Sequence, residues 1–243
     1  MSDYPEKIYI DDKEFFFEKI FRDDTFSMHI LYKNSLDDQK YVLKISDFRF
    51  AGGWLLRPIA ALMSKIEYHL YQKVADIEGI PRLGPRYGRR GYFHLFIAGR
   101  TLDELGMDNH ILPADFFDQL RRSIDQIHQR AILYVDLNKR SNIIVSEDKK
   151  AYLIDYQTCL SFPRKILKDP SELGYLHRKL RQIFETLKRE DLYYLYKHKK
   201  IFAKKYITEE ELALTQRSLY NKLYSRWIGT PYKTIKRFFL PKR

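Results

Sequence analysis

The chain has a single cysteine, Cys159, among 243 residues. No internal disulfide is open to it, and a disulfide-stapled secreted scaffold is excluded. It also has no apolar run of the ~18 residues that a membrane-spanning helix needs. Its opening stretch, MSDYPEKIYIDDKEFFF, is acidic and has no apolar core of signal-peptide type. These absences lead us to expect a cytoplasmic protein, with a peripheral place on the inner face of the cytoplasmic membrane left open. Glycine is scarce, at 10 residues, and residues 16–32 contain none. No Gly-rich or low-complexity linker and no internal repeat divides the chain. What remains is 44% hydrophobic and 15% aromatic, a composition that can build a core and does not suit disorder.

Charge is present in excess but unevenly. The net +12 lies wholly in the last third: residues 163–243 hold 21 Lys and Arg against 8 Asp and Glu. Such a surface suits anionic partners: the headgroups of an anionic membrane, phosphorylated sugars or nucleic acid, the last ranked lowest because no nucleic-acid module accompanies the charge. A merely solvated helical surface accounts for any single lysine equally well. The closing stretch, RWIGTPYKTIKRFFLPKR, mixes aromatics with cations and suits either a membrane surface or a docked tail.

Hydrophobic period supplies the elements. Strands are expected at residues 14–21, 27–33, 40–46 and 91–97, with a loop at 79–85. In KYVLKIS, Tyr41, Leu43 and Ile45 face one way while Val42 and Lys44 face the other. Lys44 therefore either snorkels at a sheet edge or needs a buried partner. A helix is expected from about Pro58 to Asp76. Met63, Glu67, Leu70 and Val74 follow a 4-3-4 spacing, which puts Glu67 in the apolar stripe and makes it the natural partner of Lys44. A stripe centred on Leu62, Ile66 and Leu70 would instead leave Glu67 solvated. Before this helix, Trp54, Leu55 and Leu56, followed by Arg57, form an apolar, cation-flanked knob. A further helix is expected from Pro113 to about Arg130, then helices near residues 171–190, 191–205 and 208–228.

The chemistry concentrates in residues 132–157, ILYVDLNKRSNIIVSEDKKAYLIDYQ. Two short apolar strands, 142–145 and 151–154, flank a polar turn and predict a β-hairpin. Asp136 and Asn142 precede the first strand and Asp155 ends the second, so three oxygen-bearing side chains meet at one end. Hard divalent cations take such ligands, often one or two carboxylates plus substrate phosphates. Asp and Asn also serve turns, which is the plainer account of the same residues.

The order of these parts, from the Lys44 strand through the Glu67 helix, a strand, a connector and a helix to Asp136, Asn142 and Asp155, resembles the protein-kinase-like fold over most of residues 14–160. IHQRAILYVDLNKRSNIIV is similar to a kinase catalytic loop and LIDYQ to the metal motif that follows it. Within that superfamily the chain looks most like the small atypical bacterial kinases, the RIO-like enzymes and the lipopolysaccharide-core (Kdo-type) sugar kinases. The resemblance implies an α+β, two-lobed fold, with a β-rich lobe carrying one main helix in residues 1–97 and a mostly helical lobe in 98–243. It implies ATP and Mg²⁺ as cofactors. Lys44 would hold the α- and β-phosphates, oriented by Glu67. Asp136 would accept or steer the proton of an acceptor hydroxyl. Asn142 and Asp155 would hold the metal, Ile97, Ala98, Gly99 and Arg100 would form the connector beside adenine, and Lys139 would stand at the loop lysine. The acceptor would be a sugar of a membrane glycolipid, or a protein Ser/Thr as in the RIO-like group. A pseudokinase binding module is the alternative of another class.

Five departures accompany the resemblance. Asp136 and Asn142 are six positions apart where the usual loop has five. Tyr134 stands where that loop has His, Tyr156-Gln157 replaces Phe-Gly, and no glycine-rich lid or Ala-Pro-Glu segment is present. Arg22 and the amides of residues 22–26 are the candidates to approach phosphate in place of the lid.

Overall fold

A computed structural model describes residues 4–23, 27–48, 52–106 and 112–216. The aromatic and cationic closing stretch, residues 24–26 and the part of the expected 208–228 helix beyond 216 lie outside them.

The first half is a curled antiparallel sheet of six strands. These are β1 (Lys7–Ile10), β2 (Lys13–Asp23), β3 (Ser27–Asn34), β4 (Lys40–Ser46), β5 (Leu83–Tyr87) and β6 (Gly91–Leu95), in the order β1-β2-β3-β4-β6-β5. Period-two alternation divides the faces of β4. Tyr41 and Leu43 join Phe15, Ile30, Tyr32 and Phe93 in a core on one side, where Phe15 stacks on Phe93 at 4.3 Å between centroids. Each such buried side chain contributes about 1.5–3 kcal/mol. Val42 and Lys44 face the other side. Between β4 and β5 run a 3₁₀ turn (Gly53–Leu56) and α1 (Arg57–Gln72), which has Pro58 in its first turn, where a missing N–H costs nothing.

The second half is mainly helical. After β7 (Gly99–Thr101) come α2 (Ala114–His128), β8 (Ile132–Leu133), the hairpin β9 (Ile143–Ser146) and β10 (Ala151–Leu153), and β11 (Leu160–Ser161). Then follow α3 (Tyr175–Phe202) and α4 (Glu209–Leu214). The 4-3 apolar spacing of α2 buries Phe116, Leu120, Ile124 and Ile127 against Ile132, Leu137, Leu153 and Leu195. This core is continuous with Leu70, Tyr71 and Tyr92, so α1 and β6 pack on the helical half. No helix among the described residues is long and apolar enough to cross a membrane.

Several expected boundaries need correction. The helix bearing Glu67 ends at Gln72 rather than Asp76, because Lys73 to Ile77 turn tightly through short-range hydrogen bonds. Residues 171–190 and 191–205 do not form two helices. One helix of 28 residues, α3, runs through Glu190 and Asp191. The supposed loop at 79–85 gives way to β5 from Leu83, paired with β6, which ends at Leu95 and not Ile97. β1 had no counterpart in the expectation.

Candidate functional site

β4 is central in the sheet, between β3 and β6, so Lys44 has no edge at which to snorkel. Its side chain is 4% exposed and Nζ donates to Oε1 of Glu67 at 2.6 Å and to Oδ1 of Asp155 at 2.8 Å. Glu67 is 1% exposed while Leu62 and Ile66 stand in the open, so the stripe that includes Glu67 is the buried one. Burial opposes the charge on Lys44, but Asp155 and Glu67 outweigh it and hold its pKa above the ordinary lysine value. Burial likewise opposes the charge on Asp155, and Lys44 overrides it, holding the carboxyl well below the usual range. Glu67 is pushed upward by burial in spite of Lys44. One ammonium thus keeps the half-exposed carboxylate ionised, while the deeper carboxylate carries the desolvation.

Asp155 ends β10, and the hairpin register sets what stands beside it. Leu153 pairs with Ile143, and the Ile154 amide donates to the Asn142 carbonyl at 3.0 Å, which brings Asn142 alongside Asp155. Asn142 is buried, and its Nδ2 makes a long 3.5 Å bond to the Asp136 carbonyl, which keeps Oδ1 as the unused ligand atom. Asp136 opens a 3₁₀ turn (Asp136–Asn138) and pairs with Lys139, whose charge also reaches Asp155. A second 3₁₀ turn (Arg140–Asn142) completes the loop before β9.

The loop is held from below by a residue that the sequence did not single out. Asp191 of α3 is buried, and it accepts from the Tyr134 amide at 3.0 Å, from the Val135 amide at 2.9 Å and from His128 Nε2 at 2.9 Å. Val135, at φ +65°, is a β-branched residue in a region that such residues avoid, at a cost of order 1–3 kcal/mol. The Asp191 bonds fix that geometry. His198, a turn or two further along α3, donates to the Leu137 carbonyl at 2.8 Å. The two tyrosines that depart from the kinase pattern tie the same parts together. The Tyr134 hydroxyl donates to the Ile154 carbonyl, and Tyr156 packs against Tyr71 of α1 at 4.6 Å and donates to the Leu153 carbonyl at 2.8 Å.

A cleft of about 130 Å³, open to solvent, lies between the sheet and the helical half. Lys44 and Asp155 stand in its wall with Val42, His94, Ile97 and Gly99. Of the expected connector, Ile97 and Gly99 line the cleft. Ala98 does not, and its carbonyl accepts from Glu147 at 3.2 Å. Arg100, also outside the lining, lies in β7. Gly99 sits so close to β9 that a Cβ there would lie 2.2 Å from the Val145 carbonyl oxygen, so no other residue fits. Glu67 lies behind Lys44, out of the cleft; Asp136, Lys139 and Asn142 are also outside its lining. Arg22 lies in β2, and the amides proposed to approach phosphate continue into residues 24–26, outside the described ones.

Among the described residues no group of three or more His, Cys, Asp and Glu could hold a metal by itself. An ionised Asp155 with the neighbouring Asn142 oxygen is a hard, oxygen-only pair, which fits Mg²⁺ shared with a phosphate ligand. Cys159 is buried, and burial pushes its thiol pKa well up, so it is an inert core residue. No protein-family model and no curated protein matches the chain, so the function has to be argued from this geometry.

Proposed function

We propose that the chain is an ATP- and Mg²⁺-dependent phosphotransferase with a hydroxyl acceptor, built on a two-lobed, protein-kinase-like fold divided near residue 97. The observation that carries the reading is the buried Lys44, held between Glu67 and the ionised Asp155 in the wall of the cleft. A structural ion pair alone needs no third charge facing an open cavity. Buried charges cost several kcal/mol each before their attraction is counted, and apolar residues of like volume serve stability at least as well.

In this reading Lys44 directs its ammonium at the phosphate oxygens and Glu67 fixes the direction in which it points. Asp155 and Asn142 present oxygen ligands beside it. Those two residues would hold Mg²⁺, which would supply positive charge against the phosphate during transfer. In the same reading Asp136 receives or steers the proton of the attacking hydroxyl, and Lys139, paired with it, would serve as the loop lysine. Ile97, Gly99 and Val42 give the cleft an apolar wall suited to a planar base. Asp191 acts on the loop and not on the substrate.

For the acceptor we favour the sugar of a membrane glycolipid, such as a lipopolysaccharide core. The sequence lacks the peptide-docking segment of conventional protein kinases, and the chain carries strong positive charge in its last third. The first test is a thermal shift with ATP, with and without Mg²⁺. A Mg²⁺-dependent rise in melting temperature is expected, and its absence would count against the enzyme. The second is transfer of labelled phosphate from ATP to a lipid extract or a protein lysate, with Asp136→Ala as the control. Label in lipid is expected. Label in protein alone would identify a RIO-like Ser/Thr kinase instead, and nucleotide binding with no transfer to either would identify a pseudokinase.

A further inference from the structure

We propose that the outer face of α1, with the turn before it, docks on an anionic lipid bilayer. The buried face of α1 carries Glu67 and Leu70. Its opposite face repeats the apolar period in the open: Leu55, Ile59, Leu62 and Ile66 are 63, 50, 57 and 52% exposed, and Trp54 beside them is 65% exposed. Spaced 4-3-4, these side chains form one stripe along the helix. A soluble surface tolerates scattered exposed apolar residues, but a contiguous stripe marks an interaction face.

Charge identifies the occupant. Residues 52–66 contain Arg57 and Lys65 and no carboxylate. A concave patch that shares Leu62 with the stripe is also lined by Lys65, His69, Arg86 and Arg89. Arg86 is held in place by a hydrogen bond to the Arg89 carbonyl at 2.7 Å and by stacking over Tyr68 at 5.1 Å. The acid on the preceding loop, Asp47, is paired with Arg90 at 2.6 Å. An apolar stripe rimmed by cations suits acyl chains and anionic headgroups at the same depth, and Trp favours that interface. A second copy of the chain would set these cations against themselves. The stretch 217–243, with eight Lys and Arg and no acid, would be repelled, and instead adds to the attraction for an anionic membrane. At 16 residues α1 is too short to span, so it would lie flat. The inference is independent of the phosphotransfer reading.

The test uses the full chain and vesicles of phosphatidylcholine with or without about a third phosphatidylglycerol. Sedimentation at low salt should show binding to the anionic vesicles only, weakened by salt. Trp54→Ser with Leu55→Ser and Ile59→Ser should weaken it at least about tenfold without lowering the melting temperature, since these side chains are exposed. Lys233→Gln with Lys236→Gln and Arg237→Gln should weaken it less. A second measurement needs no change in the helix: in Trp227→Phe, leaving Trp54 the one tryptophan, emission should shift to the blue when anionic vesicles are added. Unchanged Trp54 emission overturns the proposal. So does a triple serine variant that binds like the parent, or a parent that does not bind at low salt. A dimer that the serine variant dissolves would assign the face to a second copy and overturn it equally.

Discussion

Two of the buried polar clusters among the described residues, those around Lys44 and Asp191, differ in what they leave available. Around Lys44 one cation meets two carboxylates, and one of those carboxylates still opens to the cleft. Around Asp191 one carboxylate meets two backbone amides and His128, and nothing opens to solvent. The first cluster is made of charges whose partners an anionic ligand can replace. The second is made of a charge and the main chain, which no ligand replaces. A buried network that faces a cavity can serve binding, whereas one that faces the core fixes a loop. The contrast predicts that the two will separate activity from stability.

The largest effect should come from Asp155→Asn. If the proposed phosphotransfer holds, transfer should fall at least about 1,000-fold, equivalent to roughly 4 kcal/mol, because the partner of Lys44, proposed also to hold the metal, loses its charge. Steady-state kinetics measure it, and activity within tenfold of the parent would remove Asp155 from the site. Next is Asp191→Ala, which should destabilise the fold by about 3–4 kcal/mol in a urea titration, because two amides and a histidine lose a buried acceptor. Asp191→Asn, which keeps one acceptor oxygen, should recover part of that loss. If Asp191→Ala left stability intact and removed activity, the contrast between the clusters would be wrong. Glu67→Gln should lower kcat by about 10–100-fold with little change in folding, since Lys44 keeps Asp155 but loses its direction. An unchanged kcat would leave Glu67 no positioning role.

The smallest effect concerns pH. Burial, helped by Lys44, pushes the His94 pKa down to about 4. The unfolded chain, with a histidine near 6.5, then binds a proton before the folded one does. Stability is therefore expected to decline as pH falls from about 6.5 to about 4, by up to roughly 3 kcal/mol from this residue. His94→Gln should flatten that slope, and a slope the same as the parent's would show that another group carries it.

How much of this was legible in the sequence depends on the kind of signal. β4 and the hairpin β9–β10 were readable because period-two alternation and a polar turn are local, and the hairpin register then followed closely enough to put Asn142 beside Asp155. The pairing of Lys44 with Glu67 was one of two open readings; the exposure of Leu62 and Ile66 decides between them. β5 was hidden because Leu-Gly-Pro reads as a loop, yet an edge strand admits proline. α3 was cut in two because Lys-Arg-Glu-Asp looks like a solvated break between apolar runs. Asp191 was missed for the same reason: a single acid in a charged stretch of helix gives no sign that it will be buried. Its partners are main-chain amides, which leave no mark in a sequence. Tyr134 and Tyr156 were visible as departures, but their use as ties between segments depends on contacts that span tens of residues.

The bond between Lys44 and Asp155 joins residues 111 positions apart, whereas Lys44 and Glu67 are separated by only 23. Bringing chain ends together costs more entropy the longer the loop between them, so the two halves of this three-charge cluster have different histories. A chain growing from its N-terminus can pair Lys44 with Glu67 once the sheet and α1 have condensed. It can acquire Asp155 only after the hairpin has been made and laid against them. Asp155, the carboxylate that meets Lys44 in the cleft wall, is thus the last of the three to arrive, and a half-folded chain has the Lys44–Glu67 pair without it.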